Sequence, residues 1–63
     1  MTKLLTLPET AERLRQPEAT MRYWRHLGTG PKSALVGRRV MYREQDVLAW
    51  IDRQFENNGT PAA

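Results

Sequence analysis

The chain has 63 residues, no cysteine and one histidine, and its ten basic and seven acidic residues give a net charge of +3 at pH 7. A chain of this length forms one domain at most and buries only about 60% of its unfolded surface. The composition excludes a disulfide framework and a thiolate or multi-histidine metal site, and no stretch approaches the roughly 18 apolar residues of a membrane span.

The N-terminal segment predicts a short strand and then a capped helix. Residues 3–5, Lys-Leu-Leu, can start a strand. In the sequence TLPE, Thr6 can accept a hydrogen bond from the Glu9 N–H while the Glu9 side chain reaches back, and Pro8 is tolerated in a first turn. Apolar residues at i, i+4 and i+7 predict one buried face, formed by Leu7, Ala11 and Leu14.

A second helix is predicted in RQPEATMRYWRHLG, residues 15–28, opened by Pro17 and closed by Gly28. The short separation from the first helix is typical of a helix-turn-helix. One side of the helix is predicted to join the core through Thr20, Met21, Trp24 and Leu27. The other side is basic and aromatic, with Ala19, Arg22 and His26 at its centre, flanked by Glu18, Tyr23 and Arg25.

The next segment predicts a β-hairpin. Residues 34–36 and 39–42 have strand composition around Gly37-Arg38, a pair that suits a type II′ turn. Alternation is expected to turn Ala34, Val36, Val40 and Tyr42 toward the helices and Leu35, Arg39 and Met41 outward. Leu35 and Met41 are therefore candidates for contact between copies, or simply two scattered exposed apolar residues.

The last element predicted is a third helix over residues 43–55. Glu44 and Asp46 favour its N-terminus, and Val47, Trp50, Ile51 and Phe55 form its apolar stripe. The predicted fold class is mainly α with a β-hairpin: three helices and a two-stranded wing. We expect one domain over residues 1–55 and a flexible C-terminal tail over 56–63.

Charge is unevenly distributed along the chain. From Arg13 to Arg43 there are eight basic residues and one acidic residue, a net charge of +7, whereas the remainder has two basic and six acidic residues. This segregation indicates DNA, RNA or an anionic membrane surface as partner, unless the basic run is only a solvated face.

Catalysis is not expected. The carboxylates fall on helix exteriors or helix starts, no nucleophile set surrounds His26, and no glycine-rich phosphate loop follows a strand. We therefore predict no catalytic residue, no metal site and no cofactor.

Double-stranded DNA explains more of these features than the other candidates. An α-helix fits the major groove, where arginine reaches guanine O6 and N7, and a hairpin beside it can reach the backbone or minor groove. The predicted contacts from the second helix are Thr20, Arg22, Tyr23, Arg25 and His26. Those from the wing and its base are Lys32, Arg38, Arg39 and Arg43. Two simpler interpretations stay open: Glu18 neutralises Arg22, and Gly37-Arg38 is only a solvated turn.

Three segments, LLTLPETAERL, ATMRYWRHLGTGPK and VGRRVMYREQDVLAWI, resemble in order and spacing the small MerR-like winged helix-turn-helix proteins of phages and mobile elements. That family includes excisionases, also called recombination directionality factors. The resemblance covers about residues 4–53, and its most specific parts are GTGPK, GRRV with YR, and DVLAW. The family typically has a serine at the position of Pro17. Because proline has no side-chain hydroxyl, the cap or phosphate contact that the serine would make is not expected here.

The resemblance implies an actinobacterial or mycobacteriophage excisionase that acts in the cytoplasm of the host cell. Such a protein binds several adjacent sites beside a phage integrase, bends the DNA and favours excision over integration. Its partners would be double-stranded DNA, the integrase and neighbouring copies of itself, with no membrane. A small transcriptional regulator of the same fold, or an adaptor that binds an acidic protein, are the competing hypotheses.

Overall fold

A computed structural model describes residues 3–60 as three helices and a three-stranded antiparallel sheet, which confirms the predicted winged helix-turn-helix class. The elements in chain order are β1 (Leu4–Thr6), α1 (Leu7–Leu14), α2 (Glu18–Leu27), β2 (Ser33–Val36), β3 (Arg39–Arg43) and α3 (Glu44–Asn58). The wing is larger than the predicted two strands, because β1 pairs with β3 and places β3 at the centre of the sheet.

Helix α1 begins with the predicted capping box. The Thr6 N–H donates to Glu9 Oε1 over 2.9 Å, and the Glu9 N–H donates to Thr6 Oγ1 over 3.2 Å. The helix ends at Leu14, and the left-handed backbone of the capping residue Arg15 (φ 54°) turns the chain toward α2. These reciprocal bonds satisfy two backbone donors that a helix start otherwise leaves open.

Helix α2 ends at its glycine as predicted, but Pro17, expected in the first turn, precedes the helix. Pro17 lies immediately before the helix, and its carbonyl accepts from the N–H groups of Thr20 and Met21 at 3.0 and 3.3 Å. It provides no side-chain cap, as expected for proline. Gly28 ends the helix in the left-handed region (φ 77°), where glycine has no Cβ penalty.

The predicted inward residues of β2 are wrong. The register pairs Val36 with Arg39 and Leu35 with Val40, and directly paired residues of antiparallel strands share a face of the sheet. Ser33 and Leu35 therefore lie on the helix side, whereas Ala34 and Val36 lie outside. The two-residue turn pairs Val36 with Arg39, so even-numbered residues of β2 share a face with odd-numbered residues of β3. The prediction instead placed the even-numbered residues of both strands on one face.

The hairpin turn itself has the predicted type. Gly37 has a φ of 65°, and Arg15 is the only non-glycine residue with positive φ in the described part of the chain. Arg38 therefore has negative φ, which fits a type II′ turn and not a type I′ turn. Since no atom would meet a Cβ at Gly37, the backbone conformation alone accounts for the glycine.

The core lies between the inner face of the sheet and the three helices. Its buried apolar residues are Leu5, Leu7, Ala11, Met21, Tyr42 and Val47, with Leu14, Trp24, Val40 and Ile51 packed around them. Thr10 is fully buried, and its hydroxyl donates to the Thr6 carbonyl oxygen over 2.9 Å. The six buried apolar side chains come from five of the six elements, so the sheet and helices depend on one another for stability.

Two predicted apolar positions are not buried. Leu27, the last residue of α2, is 54% exposed, and Phe55, near the end of α3, is 74% exposed. Residues 56–58, assigned to the tail, are helical and belong to α3, while 61–63 lie outside the described residues.

The capping box predicts a pH-dependent stability. Hydrogen bonds from Thr6, first its backbone N–H and then its side chain, lower the pKa of Glu9 below the ordinary 4.5. Because the folded-state pKa is lowered, ionised Glu9 stabilises the fold above pH 4.5, and this contribution is lost as the pH falls through the folded-state value. We expect urea unfolding to show wild type losing stability in acid relative to Glu9→Gln, which keeps the acceptor but does not titrate.

Equal acid sensitivity of wild type and Glu9→Gln would contradict the role given to the Glu9 carboxylate.

At neutral pH, Thr6→Ala should lower the free energy of unfolding by about 1 kcal/mol, because the Glu9 N–H loses its acceptor.

Candidate nucleic-acid interface

The outer face of α2 is open to solvent, as its sequence predicts. Met21 is 1% exposed and Trp24 is half-buried on the opposite side of the helix. Thr20, which is one of the predicted DNA contacts, is also half-buried and does not belong to the open face. The remaining predicted α2 contacts are all exposed: Arg22, Tyr23, Arg25 and His26.

Arg22 has the ion-pair partner that its spacing predicts. Its Nη2 lies 3.2 Å from Glu18 Oε1, one helical turn away, with the two side chains 63% and 49% exposed. An ion pair this exposed contributes little and is screened by salt. Arg22 can therefore exchange Glu18 for another acceptor at small cost.

Helix α2 and the wing meet at one hollow, which we call the helix–wing cleft. It has a volume of about 490 Å³ and is lined by Thr6, Leu7, Pro8, Arg22, Arg39 and Val40. The cleft brings together an arginine from the second helix and an arginine from the hairpin, as the sequence predicts. It also includes the start of α1, which the sequence reasoning did not assign to the site.

The tip and the base of the wing differ in how their charges are compensated. Arg38 and Arg39 are exposed and have no ion-pair partner among residues 3–60. Arg43 lies at the base, where its Nε donates to Asp46 Oδ2 over 2.7 Å. Its partner Asp46 lies in the first turn of α3. Arg43 does not line the helix–wing cleft.

The loop between α2 and β2, GTGPK, is held against Trp24. The Thr29 N–H donates to the Trp24 carbonyl over 2.8 Å. A Cβ on Gly30, which has a φ of 78°, would lie 3.1 Å from the Trp24 Cβ and Cε3 atoms, so no larger residue fits without a shift. Pro31 is buried, and the exposed Lys32 follows it at a fixed place.

This loop forms the wall of a second hollow, which we call the loop cleft. It has a volume of about 540 Å³ and is lined by residues 28–33 together with Arg25 and Arg53. Arg25 and Lys32 were predicted contacts, but Arg53 was not, because its sequence neighbours on α3 are acidic. Only the fold, which lays α3 against the loop, reveals that Arg53 joins them.

Arg25 also lies near the base of the sheet. Burial raises the pKa of Tyr42, while a hydrogen bond with the Ser33 side chain and the charge of Arg25 act in the opposite direction. The Arg25 guanidinium is therefore within electrostatic range of the buried end of β3, at the junction of α2 and the wing.

The predicted self-association pair is divided by the sheet. Leu35 lies on the helix side, where it is 62% exposed because it is near the wing tip, and Met41 lies on the outer face. The outer sheet face holds a shallow hollow of about 270 Å³, in which the apolar Leu4, Ala34, Val36 and Met41 adjoin the polar or charged Lys32, Ser33, Arg43 and Asp46. One contact surface cannot contain both predicted residues, because alternate residues of a strand point to opposite faces.

A further hollow, the tryptophan groove, is lined by the apolar Leu14, Trp24, Trp50, Ile51 and Phe55 and by the polar or charged Arg13, Arg15, Gln16 and Gln54. The rings of Trp24 and Trp50 are tilted by 43°, with centroids 5.4 Å apart. This groove is largely apolar and shares no arginine with the two cationic clefts.

Within residues 3–60 no group of three or more histidine, aspartate or glutamate side chains is placed to hold a metal ion. In the same part of the chain, every helix is too short or too polar to cross a bilayer.

Comparison with known families shows that a family described as "Helix-turn-helix domain" matches residues 4–54. Neither the curated proteins nor the solved structures gave a significant match. The matched range runs from β1 into α3 and so includes both α2 and the wing. The chain therefore belongs to this helix-turn-helix domain family, which includes excisionase-like DNA-binding proteins.

Proposed function

We propose that the chain is an excisionase, which binds several adjacent sites in attachment-site DNA, bends the duplex and directs a phage integrase toward excision. The observation that carries the DNA-binding geometry is the helix–wing cleft, where Arg22 and Arg39 line one hollow. A helix of the width of α2 fits the major groove, and an adjoining hairpin then reaches the neighbouring backbone.

The exposed face of α2 reads the bases in this proposal. Arg22 and Arg25 are long donors that can bind guanine O6 and N7, the commonest specific contact in the major groove. Tyr23 and His26, on the same exposed face, contact a phosphate or a thymine methyl group. The half-buried Thr20 has at most a supporting contact near the start of the helix.

The wing supplies sequence-independent contacts. Arg38 and Arg39 have no ion-pair partner among residues 3–60, so their charges are available to phosphates or to a narrow minor groove. Lys32 adds a phosphate contact at the wing base. Arg43 does so only if it leaves Asp46, which makes it the weakest of the predicted contacts.

Bending is the step for which one copy is insufficient. Bending a site by 40–90° costs about 1–6 kcal/mol, and a domain with six buried apolar side chains offers little surface to offset it. Several copies bound side by side share the cost. We assign the contact between copies to the outer sheet face, whose apolar Leu4, Ala34, Val36 and Met41 are clustered.

Base-reading and phosphate-binding residues should respond differently to mutation. Arg22→Ala should cost about 1–3 kcal/mol on a preferred duplex selected from a random pool and have a smaller effect on unrelated duplexes. Arg39→Ala should weaken binding to both, and reduce the slope of log K against log salt by about 0.9, the value for one lost phosphate contact. Fluorescence anisotropy over a range of salt concentrations measures both quantities.

Arg15→Ala is the matched control, because Arg15 is exposed at the edge of the tryptophan groove and lines neither cationic cleft. If the Arg22 and Arg39 variants behave identically, the assignment of base reading to the helix and of phosphate binding to the wing is wrong.

The excisionase function predicts stepwise assembly. On attachment-site DNA, gel shifts should show several successive complexes, with bending that increases at each step. Met41→Glu should keep the first complex and lose the later ones, because a carboxylate enters the apolar outer sheet face. Leu35→Glu, on the opposite face of the same hairpin, is the matched control and should assemble like wild type.

One complex without bending, on a promoter sequence alone, would assign the chain to transcriptional regulation instead. Binding that never exceeds non-specific affinity, a Kd of roughly 10⁻⁴ to 10⁻⁶ M at physiological salt, would favour the adaptor.

A further inference from the structure

The loop cleft concentrates positive charge from three separate elements. Arg25 comes from the last turn of α2, Lys32 from the loop and Arg53 from the second half of α3. No acidic side chain of the described residues lines the cleft. Three cations that converge without an acid raise the local concentration of anions.

These three residues form no ion pair within residues 3–60, unlike Arg13, Arg22 and Arg43. Arg13 is bound to Glu44 at 2.8 Å, and Arg22 and Arg43 have carboxylate partners. Arg25, Lys32 and Arg53 form no ion pair with any of residues 3–60. An external anion therefore does not have to displace a carboxylate of residues 3–60 before it binds them.

The wall of the cleft is preorganised. Gly28 and Gly30 have left-handed backbones, Thr29 is bonded to Trp24 through both its N–H and its hydroxyl, and Pro31 is buried. A loop held in this way loses little conformational entropy when it binds a ligand. This role gives a physical reason for the GTGP part of the loop, residues 28–31, to which base reading and the wing assign no contact.

We propose that the loop cleft is a phosphate clamp, in which Arg53 of α3 joins Lys32 to hold a stretch of DNA backbone next to the bases that Arg25 reads at the end of α2. The inference rests on the proposed placement of α2 in the major groove. Arg25 lies on the exposed side of α2 and also lines the cleft, so the surface that meets the bases continues into it. This continuity favours the backbone of the same duplex over an acidic protein.

The clamp makes Arg53 a DNA-binding residue, and its contribution is measurable through salt dependence. For a mixed-sequence duplex, Arg53→Gln should reduce the slope of log K against log salt by about 0.9, the value for one phosphate contact in B-DNA. The affinity should fall about eightfold at 0.1 M salt if the two lines meet at 1 M. Arg53→Lys keeps a point charge and should retain the wild-type slope.

Arg15→Gln is the matched control, since it removes the same charge from an exposed arginine that lines the tryptophan groove instead. It should leave slope and affinity unchanged. Circular dichroism of each variant verifies that the total helix content is unchanged before binding is compared.

The outcomes separate the clamp from the function on which it rests. If wild type binds the duplex but Arg53→Gln behaves like Arg15→Gln, the clamp is wrong and the proposed function stands. If wild type does not bind duplex DNA, both are wrong. An unchanged DNA slope with weakened binding of poly-glutamate would overturn the clamp and assign the cleft to an acidic protein.

Discussion

The packing of β3 against the helices is the constraint on which the site depends. Tyr42 is 1% exposed and lies beside Leu5 of β1, and this buried pair fixes which face of the central strand points inward. A slip of one residue would exchange the faces, burying Arg39, Met41 and Arg43 and exposing Tyr42. The cost of burying unpaired guanidinium groups excludes that register. Arg39 consequently stays exposed, where it lines the helix–wing cleft together with Arg22.

Local signals predicted the individual elements well. The Thr6 and Glu9 capping box, the Gly28 cap of α2 and the type II′ turn at Gly37 each depend on a few neighbouring residues, and the structure has all three. The buried and exposed faces of α2 were also predictable, because the helical period of 3.6 residues turns Met21 and Arg22 to different sides of the helix.

Relations between elements were less accessible. The inward face of β2 depends on the parity of the turn, and the pairing of β1 with β3 joins segments that are far apart in sequence. Leu27 and Phe55 have the spacing of core residues, but burial also requires an opposing element, and none covers them in residues 3–60. Arg53 was missed for the same reason: its acidic sequence neighbours on α3 are not its neighbours at the loop cleft.

The central claim is that the exposed face of α2, the helix–wing cleft and the loop cleft bind one DNA duplex. Titration of ¹⁵N-labelled protein with a short duplex, followed by NMR, tests this claim most directly. The account predicts amide shifts at the exposed face of α2, at the Gly37-Arg38 turn and in residues 28–33, with none in the tryptophan groove around Trp50. Shifts concentrated around Trp50 and Phe55, with Arg22 and the wing tip unaffected, would contradict it.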